Sequence, residues 1–113
     1  IQAFPPAQYS MGVLYDKGLG VTENKSMALL WYYAAAQNNY AKAQYNLGVF
    51  FLKGIGTAVN LEEASSWFSK AAQQGIKKAS KILAILSRAN DSGLKYVGQV
   101  KSIEALGFSE NEK

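Results

Sequence analysis

The 113-residue chain contains no cysteine, no histidine, two prolines and a single arginine, Arg88. Absent thiols exclude a disulfide framework. Without His or Cys, the usual nucleophile–base triads and histidine–thiolate zinc sites have no residues to build them. No cofactor or metal site is expected. No apolar run approaches the roughly 18 residues of a membrane-spanning helix, so membrane insertion is not expected either. Lys and Arg number 12 against 8 acids, a net charge of +4. The cations are spread almost evenly along the chain and include a single arginine, which argues against nucleic acid, and the positive balance mildly favours acidic partners. The chain begins at Ile1, which leaves a removed leader or a longer parent protein equally open.

What the chain does contain is a repeat. Residues 43–78 are a second copy of residues 7–42, with fifteen identities at a shift of 36. They include Gln8/Gln44, Tyr9/Tyr45, Gly12/Gly48, Gly18/Gly54, Gly20/Gly56, Asn24/Asn60, Trp31/Trp67 and Ala35/Ala71. A period of this length marks stacked supersecondary units, each burying its apolar face against its neighbours.

Within each unit the spacing predicts two helices. In the first, Ala7, Met11, Leu14 and Tyr15 recur at helical intervals, and Gly12 among them would let another helix approach closely. Gly18 ends that helix in the left-handed conformation. Asn24 caps the next, whose apolar face carries Met27, Ala28, Trp31, Tyr32 and Ala35. The second unit repeats this logic, with a helix over about 41–53, a Gly54-Ile55-Gly56 turn and a helix capped by Asn60. Glu63 completes a capping-box pattern there. The third unit starts a helix over 77–90 with Ala79, Leu83 and Leu86 inward, but Ala84 stands at the glycine position and no Gly-x-Gly turn follows. Asp91-Ser92-Gly93 breaks it, and Leu94, Val97, Val100, Ile103 and Leu106 predict a final amphipathic helix that caps the array. The expected division is repeat one at about 5–40, repeat two at 41–76, a capping unit at 77–107 and a polar tail at 108–113.

These residues resemble the Sel1-like repeat family, a relative of the tetratricopeptide repeats. Ala41, Ala43, Tyr45, Leu47, Gly48, Phe51, Gly54 and Gly56 fill the first half of the family pattern. Asn60, Ala64, Trp67, Phe68, Ala71, Ala72 and Gly75 fill the second half. Repeat one fills it comparably, with Asn24 in place of the usual aspartate cap. The resemblance implies an all-α, right-handed α-solenoid of antiparallel helix hairpins with a concave face lined by the first (A) helix of each hairpin. It also implies an adaptor or scaffold that binds another protein and catalyses nothing. An inhibitor or immunity-type protein that occludes a partner enzyme is the alternative, and a hydrolase a remoter one. Self-association through the open repeat ends is a further option, and the family leans towards a bacterial periplasmic or secreted setting.

By the tetratricopeptide-type register, the residues on the concave, partner-facing stripe are Tyr9, Val13, Asp16 and Lys17 in repeat one. Tyr45, Val49, Leu52 and Lys53 follow in repeat two, and Lys81, Ile85 and Arg88 in unit three. Tyrosine and arginine are favoured interface anchors. The competing reading is that Tyr9 and Tyr45 only pack against neighbouring repeats. Asp16 is expected to pair with Lys17 or Lys53. The adjacent acids Glu62 and Glu63 do not make a catalytic dyad, since neighbours on a helix point about 100° apart and acids in a first turn complement the helix dipole.

Overall fold

The computed structural model describes residues 4–92, which form five α-helices: α1 (Pro5–Lys17), α2 (Lys25–Gln37), α3 (Ala41–Lys53), α4 (Leu61–Gln73) and α5 (Lys77–Ser92). Each packs on the next along the chain, so α1/α2 and α3/α4 are hairpins and α5 covers the end of the second. The result is an all-α helical-repeat solenoid. The final helix expected over 94–106 and the polar tail lie outside the described residues. So does the Gly93 of the expected chain break, and α5 itself runs through Asp91 to Ser92.

Local chemistry sets the helix ends. Pro5 and Pro6 occupy the first turn of α1, where a missing N–H costs nothing. Gly18 and Gly54 close α1 and α3 at φ 67° and 72°, their N–H groups bonding Leu14 O and Phe50 O. Asn24 Oδ1 accepts from Met27 N and Asn60 Oδ1 from Glu63 N, both at 3.0 Å. The reciprocal half of the capping box does not form. The Asn60 N–H is already given to Phe51 O at 2.9 Å, just as Asn24 N–H is given to Tyr15 O at 2.9 Å. Glu63 is thereby released, and its Oε1 accepts from the Trp67 indole instead, at 3.2 Å. These two backbone bonds, one per repeat, tie the start of each B helix to the last turn of its A helix.

Packing within each hairpin turns on a missing Cβ. A Cβ on Gly12 would lie 2.5 Å from the Tyr32 ring, and one on Gly48 would lie 2.8 Å from the Phe68 ring. In α5 the equivalent Ala84 is exposed, and among the described residues no helix approach demands glycine there. Two core clusters follow. One joins Ala28, Tyr32, Ala35 and Ala36 of α2 to Ala43, Leu47 and Phe50 of α3, with Trp67 behind. The other joins Tyr45, Val49 and Leu52 of α3 to Ala64, Phe68 and Ala71 of α4 and to Ala79, Ile82 and Leu86 of α5. Ile82 is a core residue the helical spacing did not single out, and Leu83 is only half-buried.

Gly48→Ala should destabilise the fold by about 1–3 kcal/mol, because the Phe68 ring must give way in a packed core. Trp67→Ala should cost about 3–5 kcal/mol. Urea unfolding of each variant measures both, and a near-neutral midpoint shift in either contradicts the packing described.

Candidate functional site

The expected partner-facing stripe divides into three groups. Lys17, Lys53, Lys81 and Arg88 are exposed, and Tyr9, Val13 and Ile85 are half-buried. Asp16, Tyr45, Val49 and Leu52 are buried to 2% exposure or less. The last three are enclosed because α5 stacks on α3 and α4 from one side, and the Tyr45 ring meets the edge of Phe68 at 5.8 Å between centroids. In this structure these three side chains belong to the packed core. Tyr9 also packs, 5.7 Å from the Tyr32 ring and 5.2 Å from Tyr40, yet keeps part of its surface in water.

Asp16 has a structural role of its own. Its Oδ1 accepts from Lys25 Nζ at 2.6 Å, its Oδ2 accepts from the Tyr32 hydroxyl at 3.0 Å, and its main-chain O takes a second bond from Lys25 Nζ at 2.7 Å. The expected pairing with Lys17 or Lys53 is thus replaced by Lys25, nine residues on, because the first turn of α2 returns beside the last turn of α1. With donors on both oxygens and no exposed surface, this carboxylate is not accessible to a substrate. Burial works against the Lys25 charge, but hydrogen bonds and attraction from Asp16 and Glu23 outweigh it and raise the pKa. Burial, and then the Asp16 charge, push the Tyr32 phenol up as well. At the three equivalent positions repeat two has Leu52, Leu61 and Phe68. A polar triad in one hairpin, with Asp16 and Tyr32 buried and Lys25 half-exposed, is an apolar triad in the next.

A feature that sequence reasoning missed lies between α2 and α4. An open cavity of about 420 Å³ is lined by Tyr33, Ala36, Gln37, Asn39, Gln44, Trp67 and Lys70. Tyr33 meets the Trp67 ring nearly edge-on at 5.8 Å, and the Lys70 ammonium sits 4.4 Å from that ring's centroid. Gln44 is buried beneath; its Nε2 donates to Ala36 O and Asn39 Oδ1, and its Oε1 accepts from Gln74 Nε2 at 2.9 Å. The signal was faint in the sequence because Tyr33 stands where repeat two has Ser69, so the pairing is not a repeated one. Among the described residues no group of acids is placed to hold a metal ion.

The triad makes two testable statements. Asp16→Ala should cost about 2 kcal/mol, less than a fully enclosed ion pair, since Lys25 can turn towards water. Replacing all three residues by their repeat-two counterparts (Asp16→Leu, Lys25→Leu, Tyr32→Phe) should return stability to within about 1 kcal/mol of the parent or above it. Both Lys25 and Tyr32 hold their protons more firmly folded than unfolded. Their contribution is therefore complete below the ordinary values of 10.5 and 10.0 and is lost as pH rises through the raised folded values. Thermal unfolding should show a drop in Tm above about pH 10 that the triple variant lacks; equal drops in both proteins would refute the assignment.

Comparison with known proteins agrees with this geometry. The family model "Sel1 repeat" matches residues 5–40 and 41–76. No curated protein matches significantly. Among solved structures, a Sel1 repeat protein from Oxalobacter formigenes is 41% identical at a TM-score of 0.70, over 72% of this chain and 61% of that one. The protein c5321, a protective antigen of uropathogenic Escherichia coli with an SLR fold, is 30% identical at a TM-score of 0.69, over 92% of this chain and 23% of that one. The chain thus spans less than two thirds of the length of either relative. Two family matches over consecutive hairpins, on a solenoid whose glycines, caps and aromatic rings recur every 36 residues, establish that the chain belongs to the Sel1 repeat family.

Proposed function

We propose that this protein is a non-catalytic adaptor that binds an acidic segment of a partner protein across the exposed part of its A-helix stripe. The family is generally an interaction scaffold, which supports the coarse reading. The observation that carries the finer one is the sign of the charge. Once Asp16 is buried and matched by Lys25, every exposed residue of the stripe is a cation: Lys17, Lys53, Lys81 and Arg88. Tyr9, Val13 and Ile85 lie among them with part of their apolar surface in water. Cations around aromatic and aliphatic contacts complement a peptide that carries both carboxylates and apolar side chains.

The helices bearing the stripe are fixed by the core, so binding orders little of the solenoid and most of the contact energy reaches the affinity. The reading needs no reacting group. Among the described residues the one buried acid, Asp16, is engaged on both oxygens, and the Glu63 carboxylate accepts from Trp67.

The double charge reversal Lys17→Glu/Lys53→Glu tests it. Both side chains are exposed in the last turns of α1 and α3, where a glutamate opposes the helix dipole, so the pair of reversals should cost about 1–2 kcal/mol and leave the helices formed. Affinity capture from the source cells, with mass spectrometry and then isothermal titration of the partner recovered, should show at least about tenfold weaker binding, and parental affinity should fall with added salt. Undiminished binding by the reversed protein would sink the proposal.

A further inference from the structure

The caps, turn glycines and packed rings recur between the two repeats, so chemistry peculiar to this chain enters where the repeats differ. Three such departures meet at the cavity between α2 and α4. Tyr33 stands in place of Ser69, Asn39 in place of Gly75 and Lys70 in place of Ala34. At the next junction along the chain the positions of Tyr33, Asn39 and Gln44 fall to Ser69, Gly75 and Ser80. The lining is therefore not something the repeat carries from one junction to the next.

Asn39 holds its place against a backbone preference. At φ 68° it is the one non-glycine in the left-handed region among the described residues, and its counterpart Gly75 sits at φ 97°. Any side chain enters that region at a steric cost that glycine escapes. Asn39 Oδ1 accepts from Gln44 Nε2 and Gln74 Nε2, both at 3.3 Å, which leaves the Nδ2 donor of this exposed residue for the cavity. Gln37, also exposed, brings a second amide. Lys70 carries the only charge among the described lining residues, and among the described residues it makes no ion pair. The Tyr33 and Trp67 rings stand 70° apart and form an aromatic corner beside that ammonium. Such a corner receives a flat apolar group by stacking and edge contacts.

We propose that this cavity binds a small, flat monocarboxylate, an aromatic or conjugated free acid. Its carboxylate pairs with Lys70, its apolar body lies against Tyr33 and Trp67, and the amides of Asn39 and Gln37 donate to its oxygens. One cation with no acid beside it in the lining selects a single negative charge and rejects an amine. The cavity, about 420 Å³, is within the usual size of a small-molecule site. It lies between B helices and shares no residue with the cationic stripe on the A helices, so the two proposals stand or fall separately.

The test is a titration of the nitrogen-15-labelled chain with cinnamate, read at the Trp67 indole signal, the one that Trp31→Phe leaves in place. The shift should saturate with a Kd of about 1 mM or tighter. Acetate, which lacks the ring, and cinnamamide, which lacks the charge, should bind at least about fivefold more weakly. Lys70→Met should erase the preference for cinnamate over cinnamamide, and Tyr33→Ser should weaken both by at least about fivefold. Both side chains are exposed, and an unaltered far-UV spectrum shows that the helices remain. Lys17→Glu/Lys53→Glu should bind cinnamate as the parent does. A shift that rises without saturating overturns the proposal, as does cinnamamide binding as tightly as cinnamate or a Lys70→Met chain that keeps the preference. Loss of cinnamate binding in Lys17→Glu/Lys53→Glu would move the ligand to the stripe and overturn it too. Binding of a tripeptide ending in phenylalanine about tenfold tighter than cinnamate would make a chain terminus the occupant, with the same consequence.

Discussion

The structure depends on an absence: the A helix of each hairpin has no side chain where the ring of its B helix lies. Gly12 under Tyr32 and Gly48 under Phe68 let the two helices close to a distance that any Cβ would forbid. That approach places the same rings within reach of the next repeat. Tyr32 meets the ring of Phe50 in the next repeat at 5.4 Å between centroids, and Phe68 shares a core cluster with Ala79, Ile82 and Leu86 of α5. One contact therefore sets both the width of a hairpin and the docking of its successor. A repeated glycine consequently propagates as a repeated interface, which is how a solenoid without a central core remains continuous.

Much of this was legible from residue types alone, because glycine and asparagine act locally. The left-handed closures at Gly18 and Gly54, the caps at Asn24 and Asn60 and the close approach at Gly12 and Gly48 each require only the residue and its immediate neighbours. The stripe was not legible in the same way. Tyr9 and Tyr45 occupy the same register in nearly the same sequence, yet one is half-buried and the other enclosed. The difference comes from the number of elements packed around each helix. In α3, nine of the 13 residues are buried, because helices lie on it from both directions along the stack. In α1 only Gly12 and Asp16 are. Periodicity identifies a face; how many faces are covered is decided by neighbours that no single helix encodes. The Lys25 partner of Asp16 was missed for a related reason, since its contact crosses the turn and follows no helical spacing. A signal was present in the concerted change of three positions between repeats, 16/52, 25/61 and 32/68.

That concerted change bears on how a nearly periodic chain selects one arrangement. Two hairpins that share fifteen of 36 positions could exchange partners, with the A helix of one packed on the B helix of the other. The glycine–ring contact alone would not object, since Gly12 accepts a phenyl ring as readily as a phenol. The triads do object. Asp16 against Phe68 would lose the hydroxyl donor to its Oδ2 in a buried site, and Tyr32 against Leu52 would bury a hydroxyl with no carboxylate to receive it. Each mismatch leaves a polar group enclosed and unsatisfied, which costs more than the correct hydrogen bond contributes. The ion pair is therefore better understood as a label on repeat one than as a source of net stability, a use that buried polar groups serve best where alternatives are nearly degenerate. Fixing which helix pairs with which also fixes the order of the side chains along the outer surface. Lys17 and Lys53 occupy equivalent positions on successive A helices, and their spacing is defined only as long as the hairpins beneath them cannot trade places.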